Sequence, residues 1–153
     1  MCIRDSDLAG LLAEECAPFR ADLAVSPEEL LLVTGDARLL RRMFRNLLEN
    51  ARRYGGSPAP EVSAKREGDS AIVNFCDRGP GIPESERDRV FQPFYRLKGS
   101  SEREGGAGLG LALVRQIVLR HGGSVSCLQR DGAGACFSVR LPLVAASSGR
   151  GLP

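Results

Sequence analysis

The sequence predicts an α+β fold, a two-layer α/β sandwich in which a mixed, mainly antiparallel sheet carries helices on one face. Three observations lead there. Residues 61–77 and 124–142 read as hairpins, with apolar residues alternating on either side of a Gly-Asp or Asp-Gly turn. Residues 36–54 and 109–120 repeat apolar side chains at helical spacing. Finally, 153 residues are enough for one ordinary core and too few for two comfortable ones.

The opening "MCIRDSDLAG" lacks the apolar centre of a signal peptide. Leu8, Leu11, Leu12 and Phe19 then fall at helical spacing over 7–24, interrupted near the end by Pro18. "ELLLVTG" is a short strand-like run, and Asp36 suits the N-cap of the next helix, which "GGSP" stops after Tyr54. Ala71, Val73 and Phe75 alternate in the first hairpin, whose turn falls at Gly68-Asp69. "RGPGIP" is an irregular loop, and 85–108 is polar with a single short helical turn. A helix over 109–120 ends at Gly122. The second hairpin carries Val125, Cys127 and Leu128, turns at Asp131-Gly132, and returns through Cys136, Phe137, Val139 and Leu141. The tail 144–153 has the composition of a disordered segment.

Composition excludes several classes. A net charge of +2 points to no polyanionic partner, so nucleic acid is not expected. No run approaches a membrane span. The five cysteines show neither disulfide-framework nor zinc spacing. Cys76, Cys127 and Cys136 lie in apolar runs and are expected to be small buried hydrophobes, in a reducing cytoplasm.

Glycines alternate at Gly106, Gly108 and Gly110 before an apolar helix, the kind of loop that lets backbone approach phosphate. The Walker A spacing is absent, and the third glycine of a dinucleotide fingerprint would fall on Leu111. The helix over 36–54 is more informative. Leu40, Met43, Phe44, Leu47, Leu48 and Ala51 share a core stripe, while Arg38, Arg41, Arg42, Arg45 and Arg52 face solvent, with Glu49 expected to pair with Arg45 and Arg53. Asn46, Asn50 and Arg53 share the border between them, where a cleft would open. Amide oxygens are hard neutral ligands suited to Mg²⁺.

"NLLENARRYG" resembles the N box of sensor histidine kinase ATP-binding domains. "DRGPGIP" looks like their first glycine box, "FQPFYR" like their F box, and "GGAGLGLALVRQIVLRHGG" like their second glycine box. The four occur in the family's order within residues 7–143, leaving 1–6 as a segment outside the family pattern. The wider resemblance is to the gyrase/Hsp90/histidine-kinase/MutL ATPases and implies their Bergerat-type fold, with ATP and Mg²⁺ as ligands. By that resemblance Asp77 would accept a hydrogen bond from the adenine amine, with Gly79, Gly81 and Ile82 around the base. Asn50, supported by Asn46, would hold Mg²⁺, and Arg53 and Tyr54 would face phosphate and ribose. Phe91 and Phe94 would anchor a lid that runs from Lys98 to Gly105, and Arg96 would stabilise γ-phosphate charge. Gly106, Gly108, Leu109, Gly110 and Leu111 would present the helix N-terminus to the phosphates.

In the ATP-hydrolysing branches of this superfamily a glutamate that activates water stands four residues before the magnesium asparagine; here that residue is Asn46. Glu49 points about 100° away from Asn50 around the helix. An imidazole attacks with its own lone pair and needs no base, so the resemblance implies γ-phosphoryl transfer to histidine. The only histidine, His121, falls at the end of the glycine-box helix, where it is expected to interact with the dipole. The acceptor is therefore expected on an upstream dimerisation domain of a homodimeric parent, with a response regulator downstream. Neither contact with a membrane nor a site outside the cytoplasm is expected of this chain. The alternatives are a nucleotide-binding regulatory module without phosphotransfer, or an anti-sigma-type serine kinase. Three departures stand out: only "VSPE" separates "ADLA" from "ELLLVTG", where the family has a further strand, and Arg78 and Ala107 replace commoner residues.

Overall fold

The computed structural model describes residues 4–26, 29–55, 59–95, 110–129 and 134–144. Its centre is a sheet of five strands: β2 (Asp22–Val25), β4 (Glu61–Glu67), β5 (Ser70–Cys76), β7 (Ala135–Pro142) and β6 (Ser124–Gln129), in that spatial order. All pairings are antiparallel except β2 with β4. Along the strands, Val62, Ala64, Ala71, Val73, Phe75, Cys127, Phe137, Val139 and Leu141 are buried in one cluster, while Ser63, Lys65, Asn74, Ser138 and Arg140 face the other way. That alternation gives the sheet one apolar face, and the helices must cover it. The predicted sandwich is the observed one.

Three helices do so: α1 (Leu8–Cys16), α2 (Ala37–Gly55) and α3 (Gly110–Arg120). The core stripe of α2 is as expected, with Leu40, Met43, Phe44, Leu47 and Leu48 fully buried. Phe44 meets Phe75 of β5 at 5.8 Å between ring centres, tying α2 to the middle of the sheet. Asp36 caps α2 through a 2.9 Å bond from the Arg38 N–H to Oδ1, a contact of about 1 kcal/mol.

The N-terminal third departs from expectation. The helix predicted over 7–24 ends at Cys16, a 3₁₀ turn covers Ala17–Phe19, and the chain then forms β2. Pro18 cannot donate to a helical ladder, and Arg20 at φ 53 turns the chain out. Residues 22–25, where the sequence places the end of that helix, are thus an edge strand of the main sheet. Residues 4–7 form β1, which pairs antiparallel with β3 (Leu32–Gly35) in a separate two-stranded sheet, so part of the segment set apart from the family pattern is structured. Of the tail, Val144 donates its N–H to Leu32 O, and 145–153 lie outside the described residues.

The arginine stripe is also corrected. Arg45 does not pair with Glu49; it grips Glu15 of α1 through Nε and Nη2 at 3.0 and 3.2 Å. Arg41 bonds Glu14 and Glu15, and Glu49 takes Arg52, three residues on. Helix α1 lies along this face of α2, so the stripe holds a second helix in place, and Glu15 is buried beneath it.

The cysteine expectation divides. Cys127 is a buried free thiol, as expected of a small hydrophobe, and Cys16 is another. Cys76 and Cys136 are joined in a disulfide. They are 60 residues apart in sequence but opposite each other in the β5–β7 register, a proximity that spacing alone does not reveal. The cysteine pattern thus no longer argues for a reducing compartment.

Two outcomes follow. Closing a loop of this length is worth about 4 kcal/mol in the chain-entropy model, so reduction should lower the urea midpoint by the equivalent of about 2–4 kcal/mol. Burial pushes the Cys16 and Cys127 thiols up to about 11 from 9.0. The unfolded thiols lose their protons first, so stability should fall between about pH 9 and 11, by up to about 2–3 kcal/mol per thiol. Urea titrations across that window, with Cys127→Ala lacking its share of the loss, check the assignment.

Candidate functional site

Strand β5 delivers Asp77 to the end of the sheet immediately after Cys76. Its Oδ1 accepts from the N–H groups of Gly79 at 2.9 Å and Ala135 at 3.2 Å, and its own N–H donates to Ala135 O at 3.0 Å. The carboxylate is half-buried and fixed by two elements at once, the "DRGPGIP" loop and the start of β7. The loop is clamped from both sides. Arg78 reaches back to Glu61 Oε2 at 2.8 and 3.0 Å, while Arg87 donates to Ile82 O at 3.0 Å and Gln129 Oε1 at 2.9 Å.

Two glycines make this closeness feasible. Gly81 has φ 81, and a Cβ there would meet Gly134 O at 3.2 Å. At Gly134, φ 111, a Cβ would lie 2.8 Å from the Asp77 carbonyl carbon and closer still to its oxygen. Sequence reasoning found Gly81 and missed Gly134, along with Arg87. The signal for Gly134 lay in "DGAGAC", whose last glycine directly precedes β7.

A second group of contacts lies between the helices. Asn46 and Asn50 are half-buried on one edge of α2, and Asn46 Nδ2 donates to Gly110 O at 3.5 Å, where α3 begins. Leu111 packs against the core in the first turn of α3. Arg53 is exposed. Tyr54 lies within α2, and its side chain is outside the described residues, as are Arg96, Lys98, Gly106, Gly108 and Leu109.

The F box divides. Phe91 is buried edge-on against Phe137 at 5.8 Å, with Arg115 of α3 over its ring at 5.9 Å. Phe94, the other expected lid anchor, is 70% exposed with φ 65, a left-handed backbone that turns it out of the core.

His121 engages the last turn of its own helix, as expected, and also reaches beyond it. Nδ1 lies 2.8 Å from Ile117 O and donates to it, while Nε2 accepts the Asp36 N–H at 3.1 Å. The ring thus links α3 to the cap of α2. Elsewhere, a cleft of about 370 Å³ between α1, β2 and Glu29–Leu30 contains none of the predicted site residues.

Residues 35–145 match the histidine kinase-, DNA gyrase B-, and HSP90-like ATPase family. The chain belongs to that family. It is 39% identical over 119 residues to the adaptive-response sensory kinase SasA of Parasynechococcus marenigrum, covering 76% of this chain and 31% of SasA. It is 42% identical over 117 residues to the sensor protein KdpD of Escherichia coli, covering 76% of this chain and 13% of KdpD. Full-length ShkA in complex with AMPPNP superposes with a TM-score of 0.77 at 26% identity, covering 95% of this chain and 32% of ShkA. The chain thus spans less than a third of the curated relatives it matches. The histidine-kinase resemblance and the two-layer fold are borne out.

Gly134→Ala forces the start of β7 away from Asp77. It should cost about 2–4 kcal/mol, read as a lowered urea midpoint, whereas Gly68→Ala, in a turn with nothing within 4 Å of its Cβ, should cost only the strain of its φ, about 1–2 kcal/mol.

Proposed function

We propose that this domain binds Mg-ATP and transfers the γ-phosphoryl group to a histidine on a separate or upstream dimerisation domain, in two-component signal transduction. One observation carries the reading: the edge of α2 that meets the start of α3 bears amides and no carboxylate. Asn46 holds Gly110 O there, and the nearest acid on the helix, Glu49, is engaged by Arg52. An α2 edge without a general base suits a nucleophile that brings its own lone pair.

Asp77 would accept the adenine amine, within the loop of Gly79, Gly81 and Ile82. Asn50, with Asn46 beside it, would hold Mg²⁺. Their amide oxygens fit that ion, which takes few protein ligands because phosphates and water complete its shell. Mg²⁺ supplies charge neutralisation on the phosphates when bound. Arg53 and Tyr54 would face phosphate and ribose, and Lys98 and Phe94 would belong to the lid. Gly106, Gly108, Leu109, Gly110 and Leu111 would offer N–H groups at the start of α3 to the phosphates. Arg96 would stabilise charge on the transferring group. A ring nitrogen of the acceptor forms the N–P bond, the P–O bond to the β-phosphate breaks, and ADP leaves with that electron pair. The imidazole then loses its other N–H proton to solvent. His121 is not the acceptor, because both its nitrogens are engaged. ATP as the ligand is supported by the AMPPNP complex of ShkA. The partners would be the acceptor-histidine domain of a homodimeric parent and a response regulator, in the cytoplasm.

Titration calorimetry with Mg-ATP tests the reading. Asp77→Asn should weaken binding at least tenfold, on the order of the 1.5–3 kcal/mol of a charged hydrogen bond. Asn50→Ala should weaken the magnesium complex more than metal-free ADP. Binding without transfer to a supplied acceptor domain would select the regulatory module, and no binding by the folded chain would refute the reading.

A further inference from the structure

Helices α2 and α3 touch through polar groups at two places. Asp36 meets His121, and Asn46 meets Gly110. The helices therefore run antiparallel, with contacts ten residues apart on α2 and eleven apart on α3, about 15–17 Å at 1.5 Å per residue. One contact lies at the proposed phosphate end of the site and the other at the far end of the same helix pair.

The far contact is unusual in chemistry. In a capping box, the N-cap N–H is taken by a Glu or Gln at the third helical position. Here that position is Leu39, and the Asp36 N–H is accepted by an imidazole from another helix. The bond from Nδ1 to Ile117 O fixes the tautomer, so Nε2 presents a lone pair to the cap. Gly35 makes room: a Cβ there would lie 2.5 Å from His121 Nε2. Asp36 is buried, so its N–H has no ready substitute in solvent.

We propose that His121 is a positioning residue for the nucleotide site: by closing the cap of α2 from α3, it sets the axial register of the two helices and so the place of Gly110 against Asn46 and Asn50. Its consequence for ligand binding rests on the function proposed above; its consequence for register does not.

The test has two arms on the full chain, using His121→Ala, His121→Gln and Gly35→Ala. Gly35→Ala displaces the ring while leaving it in the sequence, and Gln retains an acceptor near the Nε2 position. In ligand-free ¹⁵N NMR, His121→Ala and Gly35→Ala should expose the Asp36 amide to exchange. They should also shift the Asn46 side-chain amide and the Gly110 and Leu111 signals, with His121→Gln close to wild type. Changes confined to the neighbourhood of Asp36 and His121 would overturn the proposal; should His121→Ala not fold, Gly35→Ala and His121→Gln decide this arm. In the second arm, both disruptive variants should lose about tenfold or more in Mg-ATP affinity, as the loss of a hydrogen bond to a charged group does, and leave adenosine affinity nearly unchanged. The double variant should be no weaker than either single one. Equal loss for both ligands would mean general destabilisation and overturn the proposal. If the wild type binds neither ligand, the proposed function fails and the NMR arm alone decides the register.

Discussion

The fold hangs on the pairing of β5 with β7. Seven consecutive partners, from Ser70↔Pro142 to Cys76↔Cys136, join two strands that are remote in sequence and central in the sheet. Their inward residues, Ala71, Val73, Phe75, Phe137, Val139 and Leu141, form the floor on which α2 and α3 rest. The same ladder ends at Asp77, where Ala135 both receives a hydrogen bond from the Asp77 backbone and donates one to its side chain. Core and candidate site are thus two ends of one register, and a slip of one residue would turn the apolar face to solvent and carry Asp77 off its place.

Against that floor, the polar contacts do work that burial does not. Apolar packing fixes how far α2 stands from the sheet but leaves it free to slide or tilt. Directional bonds remove that freedom. Glu15, buried between α1 and α2, is held bidentately by Arg45, and a buried carboxylate left without its partner is strongly destabilising. Arg78 and Arg87 hold the glycine loop at its two ends. These contacts are spread around the site residues and keep such a loop, with little core of its own, in one conformation.

Much of this was legible in the sequence because periodicity reports burial. The stripe on α2, the alternation in β5 and β7 and the cap at Asp36 all appear where a local pattern has a local cause. What was not legible depended on neighbours from elsewhere in the chain. The arginines of α2 look like a solvated face until α1 is laid beside them. Cys76 and Cys136 look like two apolar positions until the register sets them opposite each other. His121 looks like no more than a helix-end residue until Gly35 and Asp36 are seen beside it. Phe94 and Phe91 share a motif and differ in burial, because backbone conformation at Phe94 overrides its hydrophobicity. In the candidate site, the motif order pointed to Asp77, Asn46 and Asn50, but not to Gly134, which leaves room beside the Asp77 carbonyl, or to Arg87, which clamps the loop at Ile82.

The long excursion between β5 and β7 bears on how such a domain diversifies. The strands meet across 60 residues of sequence, and that interval holds the glycine loop, the F box, α3 and β6. Closing a chain that long costs little more when it is lengthened, about 0.6 kcal/mol for a doubling of a flexible loop. Insertions or deletions between the F box and α3 are therefore nearly neutral for the sheet, while a single residue added within β7 is not. Length can thus change within that interval while the register that places Asp77 stays as it is.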